Sequence, residues 1–193
     1  MSAEDKERFL SIIEKDSKRL TEMTDRLMGL AQAERVVVDE SNQVVVEEVL
    51  RDLEKDSESA TFSLHVNTNA EGQSVAMEAE WIDSIITSLV ENAYQHGGDD
   101  VEVEIKVDVA RNRERSLAIQ VHNEGSAISP VNRKRIFDPF FTTVRDRSSG
   151  GFGLSIVKAL IEAHNGTIEL VDAHSGTTFE IVLPLHGTKN TSG

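Results

Sequence analysis

The sequence predicts an α+β domain with helices on one face of a mixed, mostly antiparallel sheet, preceded by a long coiled-coil-like helix. Residues 5–34 contain no Pro and only one Gly, and their apolar residues recur at helical spacing. Several segments after residue 60 alternate apolar and polar residues as strands do. These strands outnumber those that one buried parallel sheet requires, and helical segments fall between them, which favours a two-layer sandwich.

The first helix is predicted to carry a seam of apolar side chains at steps of three, four and seven, formed by Phe9, Ile13, Leu20, Met23, Leu27 and Leu30. Such a helix would be about 45 Å long at 1.5 Å per residue, so much of it would extend beyond the following domain. The apolar stripe needs a partner. That partner is either a second helix or the helix's own domain, and the pattern leaves both open.

The remaining elements follow in order along the chain. Residues 44–53 are predicted to be helical, residues 61–66 and 73–77 to be strands, and residues 79–95 to form a helix that ends at His96-Gly97-Gly98. Residues 101–109 and 116–122 predict an antiparallel hairpin around the polar turn 110–115. A loop-rich stretch, 123–149, precedes a helix over 151–164, and strands over 167–171 and 177–183 are joined by a turn at 174–176.

Composition excludes several classes of protein. The 193 residues suffice for one domain with a helical appendage, and the net charge of −14 argues against a nucleic-acid binder. No apolar run approaches the roughly 18 residues that a membrane span needs, and the first residues do not have the pattern of a secretory signal. With no Cys, the chain fits a reducing compartment. We therefore expect a fragment that is located in the cytoplasm and makes no membrane contact.

Asn92 lies inside the predicted helix 79–95, with His96 one turn later. Asn is disfavoured in helix interiors because its side chain competes for backbone hydrogen bonds, so it often has another role there. A carboxamide oxygen is a suitable ligand for a hard cation such as Mg²⁺. Taken alone, Asn92 is either such a ligand or a solvent-facing side chain.

Asn123 and Gly125 follow a predicted strand that stops abruptly. A carboxamide at a strand end can present both a donor and an acceptor to a planar base, and Gly removes the side chain that would block that base. An ordinary strand followed by a turn would give the same pattern. Residues 123–125 are therefore a candidate base-binding site.

A glycine cluster, Gly150-Gly151-Phe152-Gly153, leads directly into an apolar helix. Glycines let the backbone approach a ligand, and the free N–H groups at a helix N-terminus attract anions. The cluster is neither a P-loop nor a dinucleotide-binding fingerprint. It is either a phosphate site or a mobile loop with a helix cap.

In this order the three segments closely resemble the N, G1 and G2 boxes of the histidine-kinase-type ATPases, the superfamily that includes gyrase, Hsp90 and MutL, over about residues 36–185. Between the segments that resemble the G1 and G2 boxes, residues 135–143 (RIFDPFFTT) resemble the F box of sensor histidine kinases. The resemblance implies the Bergerat fold for residues 36–185. Residues 186–193 are expected to form a frayed tail, because chain termini are often poorly ordered. Residues 1–35 resemble the second helix of the dimerisation and phosphotransfer hairpin.

The resemblance also assigns roles to residues. Asn92 would be the catalytic residue that holds the Mg²⁺ bridging the ATP phosphates, and Asn123 would recognise the adenine amino group. Arg145 and Arg147, in a short lid over 144–149, are either phosphate contacts or solvated charges. The residues implied for ATP binding are Ser88, Asn92, Gln95, His96, Asn123, Gly125, Ile128, Phe137, Phe140, Thr142, Thr143, Gly151, Phe152, Gly153, Leu154 and Thr177.

The chain departs from the family pattern at two positions of the N box. Four residues before Asn92, where kinases commonly have another Asn, this chain has Ser88, and three residues after it a neutral Gln95 replaces a Lys or Arg. Ser88 is a shorter and weaker hydrogen-bonding group, and Gln95 lacks the charge that would meet the phosphates, so the affinity for ATP is expected to be modest. Glu91 points about 100° away from Asn92 around the helix and is expected at the surface.

The function implied is that of a histidine kinase catalytic domain, which transfers the γ-phosphoryl group of ATP to a histidine and so to a response regulator. That histidine would lie on the first helix of the hairpin, which has no counterpart here, because the first His of the chain is His65 in a predicted strand. The fragment would therefore not autophosphorylate normally, and the full-length protein would dimerise through the hairpin. Whether the parent protein is anchored in the inner membrane stays open.

Two alternatives remain. The chain could be a nucleotide-sensing or degenerate interaction module that acts through its N-terminal helix, an interpretation that Ser88 and Gln95 favour. An ATP-hydrolysing clamp of the gyrase kind is disfavoured by the short lid and by Ser88, which stands where that branch has a general-base Glu.

Overall fold

The computed structural model describes residues 3–33, 35, 38–39, 41–56, 62–97, 101–110, 115–125, 127–143, 151–173 and 175–186. Within these ranges the chain forms five helices and seven strands. None of the helices among them is long and apolar enough to cross a membrane. The predicted lid, with Arg145 and Arg147, and the tail beyond residue 186 lie outside the described residues.

The first helix, α1, spans Ala3–Ala33, which confirms the long helix that the sequence predicts. Most of its described side chains are exposed, including the large apolar side chains of Phe9, Ile13 and Met28. Its C-terminal end differs, because Ala33 is fully buried in the core of the following domain. The helix is therefore anchored to that domain at its end and exposes an apolar surface along its first half.

The central sheet has five strands: β2 (Ser63–Val66), β4 (Val103–Val109), β5 (Ser116–Asn123), β7 (Thr177–Pro184) and β6 (Thr167–Val171), in that spatial order. β2 pairs with β4 in parallel, and the other three pairings are antiparallel. The mixed, mostly antiparallel sheet and the hairpin of β4 and β5 are as the sequence predicts. A second sheet consists of two short strands, β1 (Val44–Val45) and β3 (Ser74–Val75).

One face of the central sheet is covered by α2 (Val46–Asp56), α3 (Ala79–Gly97) and α5 (Gly153–Ala163). Alternation along the strands directs Ile105, Ile119 and Ile181 into this layer, where each is at most 1% exposed. The opposite face is polar, and Gln120 Nε2 donates a hydrogen bond of 2.7 Å to Glu180 there. The two-layer α+β architecture is thus confirmed.

The structure differs from the prediction mainly in short elements. Val44 and Val45, predicted to open a helix, instead pair with Val75 and Ser74, and α2 begins only at Val46. A four-residue helix, α4 (Pro130–Arg133), lies in the stretch predicted to be loops. Two to four residues are too few to show a period of 2 or 3.6 in the sequence, so pairing and local turns decide such elements.

Candidate functional site

The third helix, α3, presents a stripe of polar side chains along one side. Ser84, Ser88 and Asn92 recur every four residues, and Glu91 and Gln95 flank them at helical spacing. The neighbouring face of α3 holds the buried residues of the core, namely Ile82, Ile85, Ile86, Leu89, Val90 and Ala93. Burial of that apolar face fixes the rotation of the helix, so the polar stripe faces the ends of the sheet strands.

Two buried polar residues lie where β5 ends and β7 begins. Asn123 is the last residue of β5 and pairs with Thr177, the first residue of β7. Alternation places Asn123 on the same side of the sheet as Val121, facing the helices. Asn123 is 5% exposed and Thr177 is 6% exposed. Two polar side chains therefore enter the layer between the sheet and the helices at its open end.

The strand ends around Asn123 are held by a network on the other side of the sheet. Ser175 Oγ donates a hydrogen bond of 2.9 Å to Glu124, and His122 Nδ1 lies 2.8 Å from Thr178 Oγ1. The hydrogen bond from Ser175, followed by that from His122, lowers the pKa of Glu124. These contacts join the residue after Asn123 to the turn before β7 and so fix the position of Asn123.

The N-terminus of α5 closes the third side of the site. Phe152 is its N-cap residue, and its side chain makes no capping hydrogen bond, nor does any other side chain that the structure describes. The first N–H groups of a helix lack intrahelical partners and carry the positive end of its dipole. Gly151 precedes them with a φ of +71°, and a Cβ at this position would lie 2.7 Å from the Phe141 carbonyl oxygen. Only glycine lets the F-box segment approach the helix this closely.

The three parts enclose a cavity of about 500 Å³, within the range usual for small-molecule sites. Its walls come from α3, from the ends of β5 and β7, from the segment 127–143 and from the start of α5. The lining residues are Ser84, Ser88, Glu91, Asn92, Gln95, His96, Asn123, Ala127, Ile128, Ser129, Asn132, Ile136, Phe141, Thr142, Thr143, Gly151, Gly153, Leu154, Ile156 and Thr177.

Most of the residues singled out in the sequence meet at this cavity. Those that line it are Ser88, Asn92, Gln95, His96, Asn123, Ile128, Thr142, Thr143, Gly151, Gly153, Leu154 and Thr177. Four others support the walls without lining them. Phe152 is fully buried behind the α5 N-terminus, and Phe140, 62% exposed, stacks edge-on against it with ring centroids 4.5 Å apart. Phe137 packs on Phe179 at 6.2 Å, and Gly125 leaves room for the Asn123 carboxamide.

Several lining residues were not identified from the sequence. Glu91 is exposed as expected, yet its side chain also borders the cavity. Ser84 lies two turns before Asn92, and the repeated spacing of four was a signal that could have identified it. Ser129 and Asn132 belong to the short helix α4 and its cap, for which the sequence had no periodic signal.

The described wall of the cavity carries little charge. Glu91 is its one carboxylate, and no Lys or Arg belongs to the described lining. Partial burial lowers the pKa of His96, which favours the neutral imidazole. An anion bound near the start of α5 would be stabilised by the N–H groups of that helix. A cation bound to the anion would stabilise it further.

Comparison with known proteins identifies the family. Residues 77–187, more than half of the chain, match the model for histidine kinase-, DNA gyrase B- and HSP90-like ATPases, and the chain belongs to this family. The sensor histidine kinase CpxA of Escherichia coli (strain K12) is 32% identical over 195 residues, which cover 96% of this chain and 41% of CpxA. A probable C4-dicarboxylate sensor kinase of Bacillus subtilis (strain 168) is 30% identical over 140 residues, or 68% of this chain and 25% of that protein.

Solved structures support the same fold. The Acinetobacter baumannii histidine kinase AdeS superposes with a TM-score of 0.64 at 22% identity and covers 93% of this chain and 84% of that one. The catalytic domain of histidine kinase ThkA gives a TM-score of 0.59 at 24% identity, covering 74% of this chain and 94% of that one. The expected family and fold are therefore confirmed, and this chain spans about two fifths of the length of CpxA.

Proposed function

We propose that the chain is the catalytic domain of a two-component sensor histidine kinase that binds ATP together with Mg²⁺. The main observation behind this proposal is that three motifs distant in sequence line the same cavity. These are Asn92 on α3, Asn123 at the end of β5 and the uncapped N-terminus of α5. Membership of the ATPase family supports the nucleotide as ligand.

The residues present fit a nucleotide with its metal ion. A base would lie near Asn123, whose carboxamide forms no hydrogen bond within the part of the chain that the structure describes. The phosphates would lie toward Gly153 and Leu154, where the helix N–H groups are available. Among the described residues no three His, Cys, Asp or Glu side chains cluster as metal ligands. This fits Mg²⁺, which is commonly held by few protein oxygens and by the phosphates of its nucleotide.

In the mechanism, this chain mainly positions the nucleotide. Asn92 would supply a carboxamide oxygen to Mg²⁺, and the ion neutralises phosphate charge when bound. The α5 N–H groups would orient the phosphates, and Asn123 would fix the base, so that the γ-phosphate faces out of the cavity. The acceptor histidine would lie on a helix outside this chain, and the phosphoryl group would pass from it to an aspartate of a response regulator. Positioning of this kind supplies much of the catalysis in phosphoryl transfer.

Calorimetry with a non-hydrolysable ATP analogue, with and without Mg²⁺, tests the proposal. We expect binding that depends on Mg²⁺ in the original chain and falls at least about tenfold in Asn92→Ala, the loss that follows from removing one charge-assisted ligand. Thr87→Ala is the control, because Thr87 is exposed on the same helix but does not line the cavity.

Phosphorylation of a supplied acceptor hairpin then separates a kinase from a binding module. Full phosphorylation by Asn92→Ala would contradict the role of Asn92. If the original chain binds no nucleotide, the proposal fails, and a degenerate interaction module that acts through α1 becomes the better explanation.

A further inference from the structure

Asn123 is a buried polar side chain on the wall of the candidate nucleotide cavity. It is 5% exposed, and within the described residues its carboxamide has no hydrogen-bond partner. Burial of an amide without a partner costs free energy, so native structures seldom leave one unpaired. Asn123 also lines the 500 Å³ cavity. Among the described parts of the chain nothing pairs with this carboxamide, and a molecule bound in the cavity would supply the partner.

The surroundings of Asn123 fix the position of its carboxamide. They do not determine which of its two ends, the oxygen or the NH₂ group, faces the cavity. A Cβ on Gly125 would lie 2.7 Å from Asn123 Nδ2, so the space beside the carboxamide is narrow. The oxygen and the NH₂ group of a carboxamide have nearly the same size, so a half-turn about its last bond exchanges them without changing the occupied volume. The ligand then decides which group faces it.

This freedom bears on which purine can bind. At position 6 adenine presents an amino donor, and a carboxamide that contacts this position accepts the hydrogen bond through its oxygen. Hypoxanthine and guanine present the O6 acceptor at the same position, and the carboxamide donates to it through its NH₂ group after the half-turn. A carboxylate at this position would only accept hydrogen bonds and would repel O6.

We propose that this site accepts 6-oxopurine nucleotides, such as those of inosine and guanosine, as well as adenine nucleotides, with Asn123 as the residue that sets this breadth. The inference rests on the proposed nucleotide-binding function. The neighbour of Asn123 across the strand pair is Thr177, which also lines the cavity. Its hydroxyl can donate or accept a hydrogen bond, so it does not by itself distinguish the two kinds of purine.

Calorimetry of ADP and IDP, each with Mg²⁺, tests the proposal on the original chain and on Asn123→Asp. Inosine isolates the reading of O6, because hypoxanthine lacks the 2-amino group of guanine. We expect the original chain to bind the two nucleotides within about tenfold of each other. We expect Asn123→Asp to retain ADP binding, which also shows that the variant is folded, and to weaken IDP binding at least about thirtyfold, since a mismatched buried polar pair is rejected strongly.

Asn132→Asp is the matched control, since it adds the same charge elsewhere on the cavity wall and should leave the ratio of the two affinities unchanged. The proposal is overturned if the original chain binds ADP but binds IDP more than about a hundredfold more weakly. It is also overturned if Asn123→Asp leaves the ratio unchanged. If neither nucleotide binds the original chain, the proposed function fails and this inference fails with it.

Discussion

At the scale of single residues, Glu91 distinguishes this cavity from one built to attract anions. It is the carboxylate of a described wall that has no Lys or Arg, and it lies one residue before Asn92 on α3. At 4 Å in water, two unit charges interact by about 1 kcal/mol, and salt reduces this further. Glu91 should therefore repel a metal-free polyphosphate several-fold while affecting its magnesium complex less.

Glu91→Gln should raise the affinity for metal-free ADP roughly threefold to tenfold at low salt and change the affinity for Mg-ADP by less than about twofold. Calorimetry in EDTA and in Mg²⁺ measures both. Glu80→Gln is the control, because Glu80 is exposed at the start of the same helix and does not line the cavity. An unchanged or lower affinity for metal-free ADP in Glu91→Gln would show that its carboxylate does not face the phosphates.

The position of Glu91 shows which properties of single residues could be predicted from the sequence and which could not. The sequence places Glu91 about 100° from Asn92 around α3, and that geometry is right. The cavity, however, extends over an arc of about 140° of the helix, from Glu91 through Ser88 to His96. A helical wheel gives the angle of each residue, but only the packed walls determine how wide a face the cavity uses.

At the scale of elements, the turn before β7 positions Asn123 through glycine. Gly176 has a φ of +68°, and a Cβ there would overlap the carbonyl oxygen of Asn123. The last residue of β5 therefore packs directly against the backbone that begins β7. Any side chain at position 176 must displace the strand end that carries Asn123, the residue proposed to bind the base.

Gly176→Ala should lower the free energy of unfolding by about 1–3 kcal/mol more than Gly72→Ala, as measured by urea denaturation. Gly72 is a matched control, because its φ of +65° imposes the same backbone strain, while a Cβ added to it would have no atom of the described residues within 4 Å. We also expect weaker nucleotide binding for Gly176→Ala alone. If the two substitutions lower the free energy of unfolding equally, then backbone strain, and not the contact with Asn123, is the reason that position 176 requires glycine.

Element prediction succeeded where periodicity was long enough to be read. Helices α1, α3 and α5 and the strands of the central sheet were all predicted within a few residues of their observed bounds. The short strand β3 lies within the predicted strand 73–77, whereas β1 and α4 were not predicted, because they depend on a partner distant in sequence or on a single turn. Ser129 and Asn132 line the cavity from α4 and its cap. Prediction missed these two residues because the segment that contains them has no regular period.

At the scale of the whole molecule, α1 and the cavity are connected through α5. A Cβ on Gly29 would lie 3.8 Å from Ile156 Cδ1, an ordinary van der Waals distance, and Ile156 also lines the cavity. Ala33, at the end of α1, is fully buried in the same core. The side chain of Ile156 thus lies beside the N-terminal helix and also lines the candidate nucleotide site.

The anchoring of α1 can be tested with two single variants, each of which replaces an Ala of the last turn by Asp. Ala33→Asp should lower the free energy of unfolding by at least about 2 kcal/mol, because it places an unpaired carboxylate where no water reaches. Ala31→Asp, at an exposed position two residues earlier, should change it by no more than about 0.5 kcal/mol. Urea denaturation of both variants gives the comparison. If both variants unfold at the same urea concentration, α1 is not anchored by Ala33, and contacts through Ile156 alone would have to link the helix to the nucleotide site.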